Sequence, residues 1–466
     1  MKRFLREGDA FRAGVEIKGA TEIHVPGKSG VMLDTDMPVG ETWSIDYPVM
    51  LNAQFLLAKV SDKWIRVGTR YKPLHFSNVF VKQLVDGFKI IWELRPWSGY
   101  SKPRVPKLLV DEFGTMDEAV EDYKSWMERA FKIRKKEENP NIPKWAFNTR
   151  LVLIVDMWAS DGVILADYSD VIKLVEELEE LGAPRDTILY LPGWSWRWDG
   201  RYPEYYPAKE LGGPERFGEM VEVAREAGYK IMPSMNCLGL DYSLPAYRKL
   251  WRYQIVDRHG RKRGWPGTFP GAATLPFAYM RPCARAWRKY LLGNISKVVL
   301  EFALEAVYLD QTLVVIDDPK CNMELGLKRL IEELRAQIPG VLISGEGCHE
   351  RIVGSVSFCQ MHGSPWSMTS VGIPYEKDSL VFVKLFGDYA FFYGHISIPP
   401  SFPGRQVGLL AKSPYYDKFW NRWGYEYAQK YYDFRGAIKT IRINYRDFGL
   451  DEESRKVIQS LKLSGQ

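Results

Sequence analysis

Hydrophobic and polar positions alternate in two different rhythms along the chain. Over residues 1 to about 110 the period is two, as in Gly14-Val15-Glu16-Ile17-Lys18, Glu22-Ile23-His24-Val25 and Phe88-Lys89-Ile90-Ile91-Trp92-Glu93-Leu94. Gly, Pro and Asp turn signals separate these runs, which predicts half-buried antiparallel strands and a β-sandwich over residues 1–112. Tyr123, Trp126, Met127 and Phe131 recur at helical spacing within 116–135, and the polar, proline-bearing stretch Glu137–Pro143 follows. Residues 113–145 are therefore read as a helical linker.

From about residue 147 short apolar runs take turns with amphipathic helices. The runs are Arg150–Asp156, Thr187–Trp194, Lys230–Asn236, Ala306–Gln311 and Val341–Gly347, then Val356–His362 and Tyr389–His395. Helical spacing appears between them, for example Val171, Leu174, Val175, Leu178 and Leu181 before Gly182, and Leu327, Leu330, Ile331 and Leu334 before Gly340. Strand–helix alternation with Gly-stopped helices predicts an α/β fold, a (β/α)8 TIM barrel over 146–466 with a C-terminal helical extension around Phe419–Tyr432. No Gly-x-Gly-x-x-Gly loop follows the first run, which argues against a dinucleotide-binding sheet. An eighth strand is not evident, so closure of the barrel is inferred from the other seven.

Parallel barrels carry their chemistry at the C-terminal ends of the strands. Two runs end in carboxylates there, Asp310 and Glu346, 36 residues apart across one strand–helix–strand crossover. Such a pair is the minimal equipment for glycosidic bond cleavage, and neighbouring strands ~4.8 Å apart suit the ~5–5.5 Å separation of a retaining glycosidase. Gly345 and Gly347 leave Glu346 unobstructed. The structural alternative has Asp310 capping the next helix and Glu346 paired with a buried arginine. Asp156 is a third strand-end carboxylate, either in the pocket or orienting a neighbouring Arg or Trp. Trp158, Asn236 and Asp241 lie at or just beyond strand ends as pocket lining. The loop after the second run brings Trp194, Trp196 and Asp199, rings for sugar faces and a carboxylate for hydroxyls, or else a lid packed on itself. His362 and His395 end the sixth and seventh runs and are read as substrate contacts, with a satisfied core histidine the alternative for His395.

Composition sharpens this in places. Aromatics make up 14% of the chain, with 16 Trp and 26 Tyr, which suits either a sugar cleft or an aromatic core. A net charge of +6 is small for 466 residues and gives no reason to expect nucleic acid. The basic run Arg258–Arg263 reads as a solvated loop face, with an anionic-glycan site as the alternative. Cys348-His349 and Cys359-x-x-His362 are the available soft zinc ligands, yet the first strand ends in Asp156-Met157-Trp158 instead of His-x-His, so neither metal nor cofactor is expected. Five cysteines without a disulfide-like cluster, no long apolar stretch and no apolar leader predict a reduced, cytoplasmic protein with no membrane association. Asn and Gln together number only 20, a composition that leans towards a thermophilic source.

The run Tyr279–Tyr290, followed by Val307-Tyr308-Leu309-Asp310-Gln311 and Gly345-Glu346-Gly347, resembles a family of glycoside-hydrolase-like TIM barrels. That family is similar in layout to the α-amylase and endo-α-N-acetylgalactosaminidase superfamily, and the resemblance spans about residues 115–400. It implies Asp310 as nucleophile and Glu346 as acid/base on an α-linked oligosaccharide or glycoside, with retention. Leu304-Glu305-Ala306 replaces the Gly-Asp-Gly turn usual before the nucleophile strand, and Tyr308 stands where amylase-like enzymes carry Arg. Other classes compatible with the sequence are a non-catalytic carbohydrate-binding barrel and a metal-dependent hydrolase.

Overall fold

The structure is a computed structural model that describes residues 2–3, 5–7, 9–27, 30–104, 106–159, 162–198, 200–265, 277–361, 376–394, 438–443, 445–450 and 452–463. Two antiparallel sheets open the chain. One runs in the order Lys2–Arg3, Lys107–Phe113, Lys63–Gly68, Phe55–Val60, Ala20–Val25, Val31–Asp34 and Glu376–Asp378. The other runs Leu5–Glu7, Ala10–Ile17, Gly87–Pro96, His75–Leu84 and Thr42–Tyr47. Period-two alternation decides their faces: Phe88, Ile90, Trp92 and Leu94 point inward and share one apolar core with Leu56, Val67, Val79 and Val81. The edge strand Glu376–Asp378 arrives from far along the chain and pairs antiparallel with Val31–Asp34.

Eight parallel strands follow: β1 (Leu151–Val155), β2 (Ile188–Leu191), β3 (Lys230–Asn236), β4 (Ala306–Asp310), β5 (Leu342–Glu346), β6 (Phe358–Met361), β7 (Phe391–Gly394) and β8 (Lys439–Ile443). They lie in the order β7-β6-β5-β4-β3-β2-β1-β8. The two ends nearly close on each other, because Ile438 N donates to Phe392 O over 3.2 Å and Gly394 N to Thr440 Oγ1 over 2.8 Å. The missing eighth strand thus lies beyond Phe419–Tyr432, a stretch outside the described residues. In β8 the polar Thr440 and Arg442 alternate with Ile441 and Ile443, and Arg442 ion-pairs with Asp156, one residue beyond β1. This inverted polarity hides the strand from a search for apolar runs.

Strand β1 is buried at all five positions, as a parallel sheet covered on both faces requires. Helices Tyr168–Leu181, Gly213–Glu226, Arg285–Glu301 and Met323–Gln337 cover the outside after β1 to β4. Asp167 caps the first and Gly182 ends it in the left-handed region. Among the described residues helices are fewer beyond β5. The eleven residues Gly347–Ser357 between β5 and β6 are turn and irregular chain, and Val381–Phe386 is the described helix between β6 and β7. Inside the barrel Ile154, Tyr190, Met232, Tyr308, Leu342, Phe358 and Tyr393 form one cluster, which Ile142 of the segment 113–145 and Ala146 just after it join. The segment between sheets and barrel is therefore packed into the barrel.

Buried polar contacts bind the sheets to the barrel. Glu350 accepts from Tyr47 OH, Gln54 Nε2 and Tyr123 OH, each over 2.6 Å. Arg351, fully buried, pairs with Glu324 over 2.7 Å and also donates to Tyr47 OH and the Pro73 carbonyl.

One expectation is overturned. Cys283 and Cys321 are disulfide-bonded, so the thiols are not all reduced. Their separation of 38 residues conceals the pair, since only folding of the β3 and β4 crossovers side by side brings them together. Among the described residues no helix is long and apolar enough to cross a membrane.

Candidate active site

The inward register of the barrel builds the site in layers. Tyr190, Ser234, Tyr308, Ser344, Gln360 and Tyr393 lie in one layer: Tyr308 OH donates to Gln360 Oε1 over 2.8 Å, and Tyr393 OH and Ser344 Oγ are 2.8 Å apart. Tyr308 therefore faces the interior, an orientation its sequence leaves open. Two residues further along the strands come Asn236, Asp310 and Glu346, side by side on β3, β4 and β5 at their C-terminal ends. Asn236 and Asp310 are register partners, and Leu309 pairs with Gly345.

Specific bonds hold the two carboxylates. Asn236 Nδ2 donates to Asp310 Oδ2 over 2.9 Å. The same amide's Oδ1 accepts from Leu238 N at 2.9 Å and Gly239 N at 2.6 Å, which fixes which end faces Asp310. Glu346 Oε2 accepts from Gln311 N over 2.9 Å, so the second carboxylate is bonded to the peptide that follows the first. Gln311 adopts a left-handed φ of 64°, a conformation an L side chain occupies at some cost and one that functional sites accumulate. Its Nε2 donates to Tyr279 OH over 3.2 Å. Both acids keep partial exposure, whereas Asn236 is fully buried.

The surroundings hold protons. Burial, with Tyr190, Glu346 and Asp310 adding to it, raises the Tyr308 phenol well above its ordinary range. Burial and the same two carboxylates do so for the Cys237 thiol. Neutral hydroxyls and a neutral thiol therefore floor the site. The helix after β4 is capped by Asn322, and the buried Arg351 pairs with Glu324.

Across the barrel mouth, Arg442 of β8 holds Asp156 by two bonds of 2.7 and 2.9 Å. Burial works to raise the Asp156 carboxyl, against the guanidinium. Asp156 thus does orient an arginine, one that lies under the Trp198 ring at 5.3 Å. Trp158 packs on Trp196 at 4.9 Å between ring centres, and its indole N–H donates to Gly162 O. Trp194 lies elsewhere: it is 1% exposed, stacks near Phe217 at 5.2 Å and donates to Ser234 O. That makes Trp194 a core residue, not a wall of the cleft, because its side chain points outward to the helix layer. Both Asp241 oxygens accept bonds within the loops, from Arg201 N, Ser243 N and Ser243 Oγ, and this ties the loop after β2 to the one after β3. Asp199, His362 and His395 lie outside the described residues. Among the described residues no group of three His, Cys, Asp or Glu side chains could hold a metal ion.

Sequence reasoning missed Arg442, Gln311 and Trp198. A polar residue in a short alternating run was the available signal for the first, and adjacency to Asp310 for the second.

Residues 112–324 match the model of a domain of unknown function (DUF6259). No curated protein matches the chain in sequence. In three dimensions it is similar to the α-N-acetylgalactosaminidase NagBb of Bifidobacterium bifidum in complex with GalNAc. That likeness has 16% identity and a TM-score of 0.67 over 83% of this chain and 68% of that one. It is also similar to TtGalA, an α-galactosidase of Thermus thermophilus in complex with stachyose, at 11% identity and TM-score 0.58 over 97% and 92%. The GH36 α-galactosidase AgaA of Geobacillus stearothermophilus gives 12% and 0.57 over 98% and 63%. At such identities the shared property is the fold, and these neighbours are α-glycosidases.

Proposed function

We propose that the protein is a glycoside hydrolase that cleaves an α-linked glycan by double displacement, with Asp310 as nucleophile and Glu346 as acid/base. The observation that carries this is the placement of the two carboxylates at adjacent strand ends on the same inward register, Glu346 bonded to the peptide after Asp310. Neighbouring parallel strands hold such groups within the ~5–5.5 Å needed for covalent capture of the sugar. Asp310 attacks the anomeric carbon as Glu346 gives a proton to the leaving oxygen. Glu346 then takes a proton from water, or from an acceptor alcohol in transglycosylation, as the glycosyl–Asp310 ester is cleaved. Asn236 aims Asp310 by donating its side-chain N–H to one carboxylate oxygen.

Trp158, Trp196 and the Asp156–Arg442 pair form the opposite wall and take the sugar's apolar face and hydroxyls. The galactose-type ligands in the names of the structural neighbours support a galactose-configured substrate. With a disulfide present, a cytoplasmic location fits the disulfide-rich interior of hyperthermophiles, which the scarcity of Asn and Gln favours.

The test is turnover of aryl α-galactoside and α-N-acetylgalactosaminide by the native chain, Asp310→Asn and Glu346→Gln, with the first-formed anomer read by NMR. The native chain should release the α-anomer, and each variant should lose at least about a thousandfold in kcat. Full activity in either variant, or a β-anomer as first product, overturns the mechanism.

A further inference from the structure

Three consecutive side chains after β2, Trp196, Arg197 and Trp198, gather on Trp158. The Trp196 ring packs on the Trp158 ring, and the Arg197 guanidinium lies 5.6 Å from its centre. Trp198 N donates to Trp158 O, and Trp198 Cδ1, the ring atom next to its indole nitrogen, approaches Gly193 beside the same peptide. All three carry a buried donor with no acceptor among the described residues: Trp196 Nε1, Arg197 Nε and Trp198 Nε1. Buried polar groups are nearly always paired, so three orphans in a row call for an explanation. Trp92 and Trp287 also have indole N–H groups without an acceptor among the described residues, but each sits in a different hydrophobic core cluster.

The chemistry of the set is one-sided. Indole and guanidinium donate and never accept. Arg442 is neutralised by Asp156, and Arg201, which lies over the Trp196 ring, by Glu204. Arg197 forms no ion pair among the described residues, and its guanidinium rests against Gly162, where a Cβ would sit 3.3 Å from Cζ. A cation without an ion pair among the described residues, beside two N–H donors without acceptors there, is complementary to an oxyanion. Its place is the barrel mouth at β1 and β2, across from Asp310 and Glu346, because Trp198 lies over the Arg442–Asp156 pair.

We infer that this cluster is a subsite for an anionic substituent on the glycan, a carboxylate or a sulfate ester, so that the substrate is an acidic α-glycoside. The inference rests on the glycosidase reading above and adds the substrate's charge to it. Arg197 supplies the charge and Trp196 and Trp198 the neutral donors, and Trp158 is the platform that positions them.

The test compares kcat/KM of the full chain on three aryl α-glycosides: the galactoside, its 6-sulfate and the galacturonide. One of the two acidic substrates should exceed the neutral one at least tenfold at low ionic strength, and which one does so separates sulfate from carboxylate. The acidic-to-neutral ratio should fall towards one in Arg197→Gln, fall partway in Trp198→Phe, and survive in part in Arg197→Lys. A native ratio near one, with the neutral galactoside turned over, overturns the subsite and leaves the hydrolase standing. No turnover of any of the three overturns both. An Arg197→Gln chain that keeps the native ratio also overturns the subsite.

Discussion

Asn236 donates its side-chain N–H to Asp310 from the register-paired position on the next strand, over 2.9 Å. The other end of the amide is pinned by two backbone N–H groups, so the donor cannot be exchanged for the acceptor. Replacing Asn236 by Asp keeps the pinned acceptor but sets a like charge against Asp310. The lost charge-assisted bond is worth about 1.5–3 kcal/mol, or roughly 10- to 100-fold in kcat/KM. The added charge raises the Asp310 pKa, so the acid limb of the pH–rate profile should move to higher pH. Unchanged kinetics in this variant would mean that Asp310 is not the ionised group the reaction uses.

Two tryptophans two positions apart in sequence should behave oppositely. Trp194→Ala removes a fully buried ring and should cost about 3–5 kcal/mol of stability. Trp196→Ala removes a half-buried ring at the mouth and should leave melting close to native while weakening sugar binding about tenfold. Thermal melts with and without an unhydrolysed glycoside separate the two. The reverse pattern would remove Trp196 from the binding wall.

His349 is fully buried, and desolvation followed by the charge of Arg351 pushes its pKa down to about 3. In the unfolded chain a histidine titrates near ~6.5. Between these values the unfolded state binds a proton that the folded state refuses, so stability is full above the unfolded value and falls as pH drops below it. The slope from this group is about 1.4 kcal/mol per pH unit. His75, buried and lowered in the same sense, adds to it. His349→Asn should reduce the loss between about pH 6 and pH 4.5 by one proton's worth, as read from urea unfolding at stepped pH. An equal slope in both chains would place the acid sensitivity elsewhere.

The Cys283–Cys321 bond closes a loop of 38 residues and joins the β3 and β4 crossovers. A loop of that length corresponds to about 4 kcal/mol of denatured-state restriction. Dithiothreitol, or Cys283→Ser with Cys321→Ser, should lower the melting temperature by several degrees. Labelling of the unfolded chain without reductant should count three free thiols, the buried Cys237, Cys348 and Cys359. A count of five would show that the bond is absent.

Much of the architecture is legible because backbone periodicity is local. Runs such as Leu151–Val155 and Leu342–Glu346 announce strands by length and apolar content, and Gly182 announces a helix end by its conformational freedom. The site's two acids are legible for the same reason: a polar residue that terminates an apolar strand must leave the core at the strand's end. β8 and Arg442 are not, since their inward residues are polar and only the partner Asp156, 286 positions away, makes that polarity favourable. Trp194 and Trp196 are alike in sequence, and packing alone separates them.

By itself, then, the chain determines which residues share a strand face and that Asp310 and Glu346 emerge at neighbouring strand ends, because those facts follow from the repeat of the backbone and one crossover. Tertiary structure decides which face turns inward at Tyr308, which cation meets Asp156, which indoles lose their partners and which cysteines meet. Each of these depends on where distant segments come to lie when the barrel closes, and no local pattern encodes such a distance.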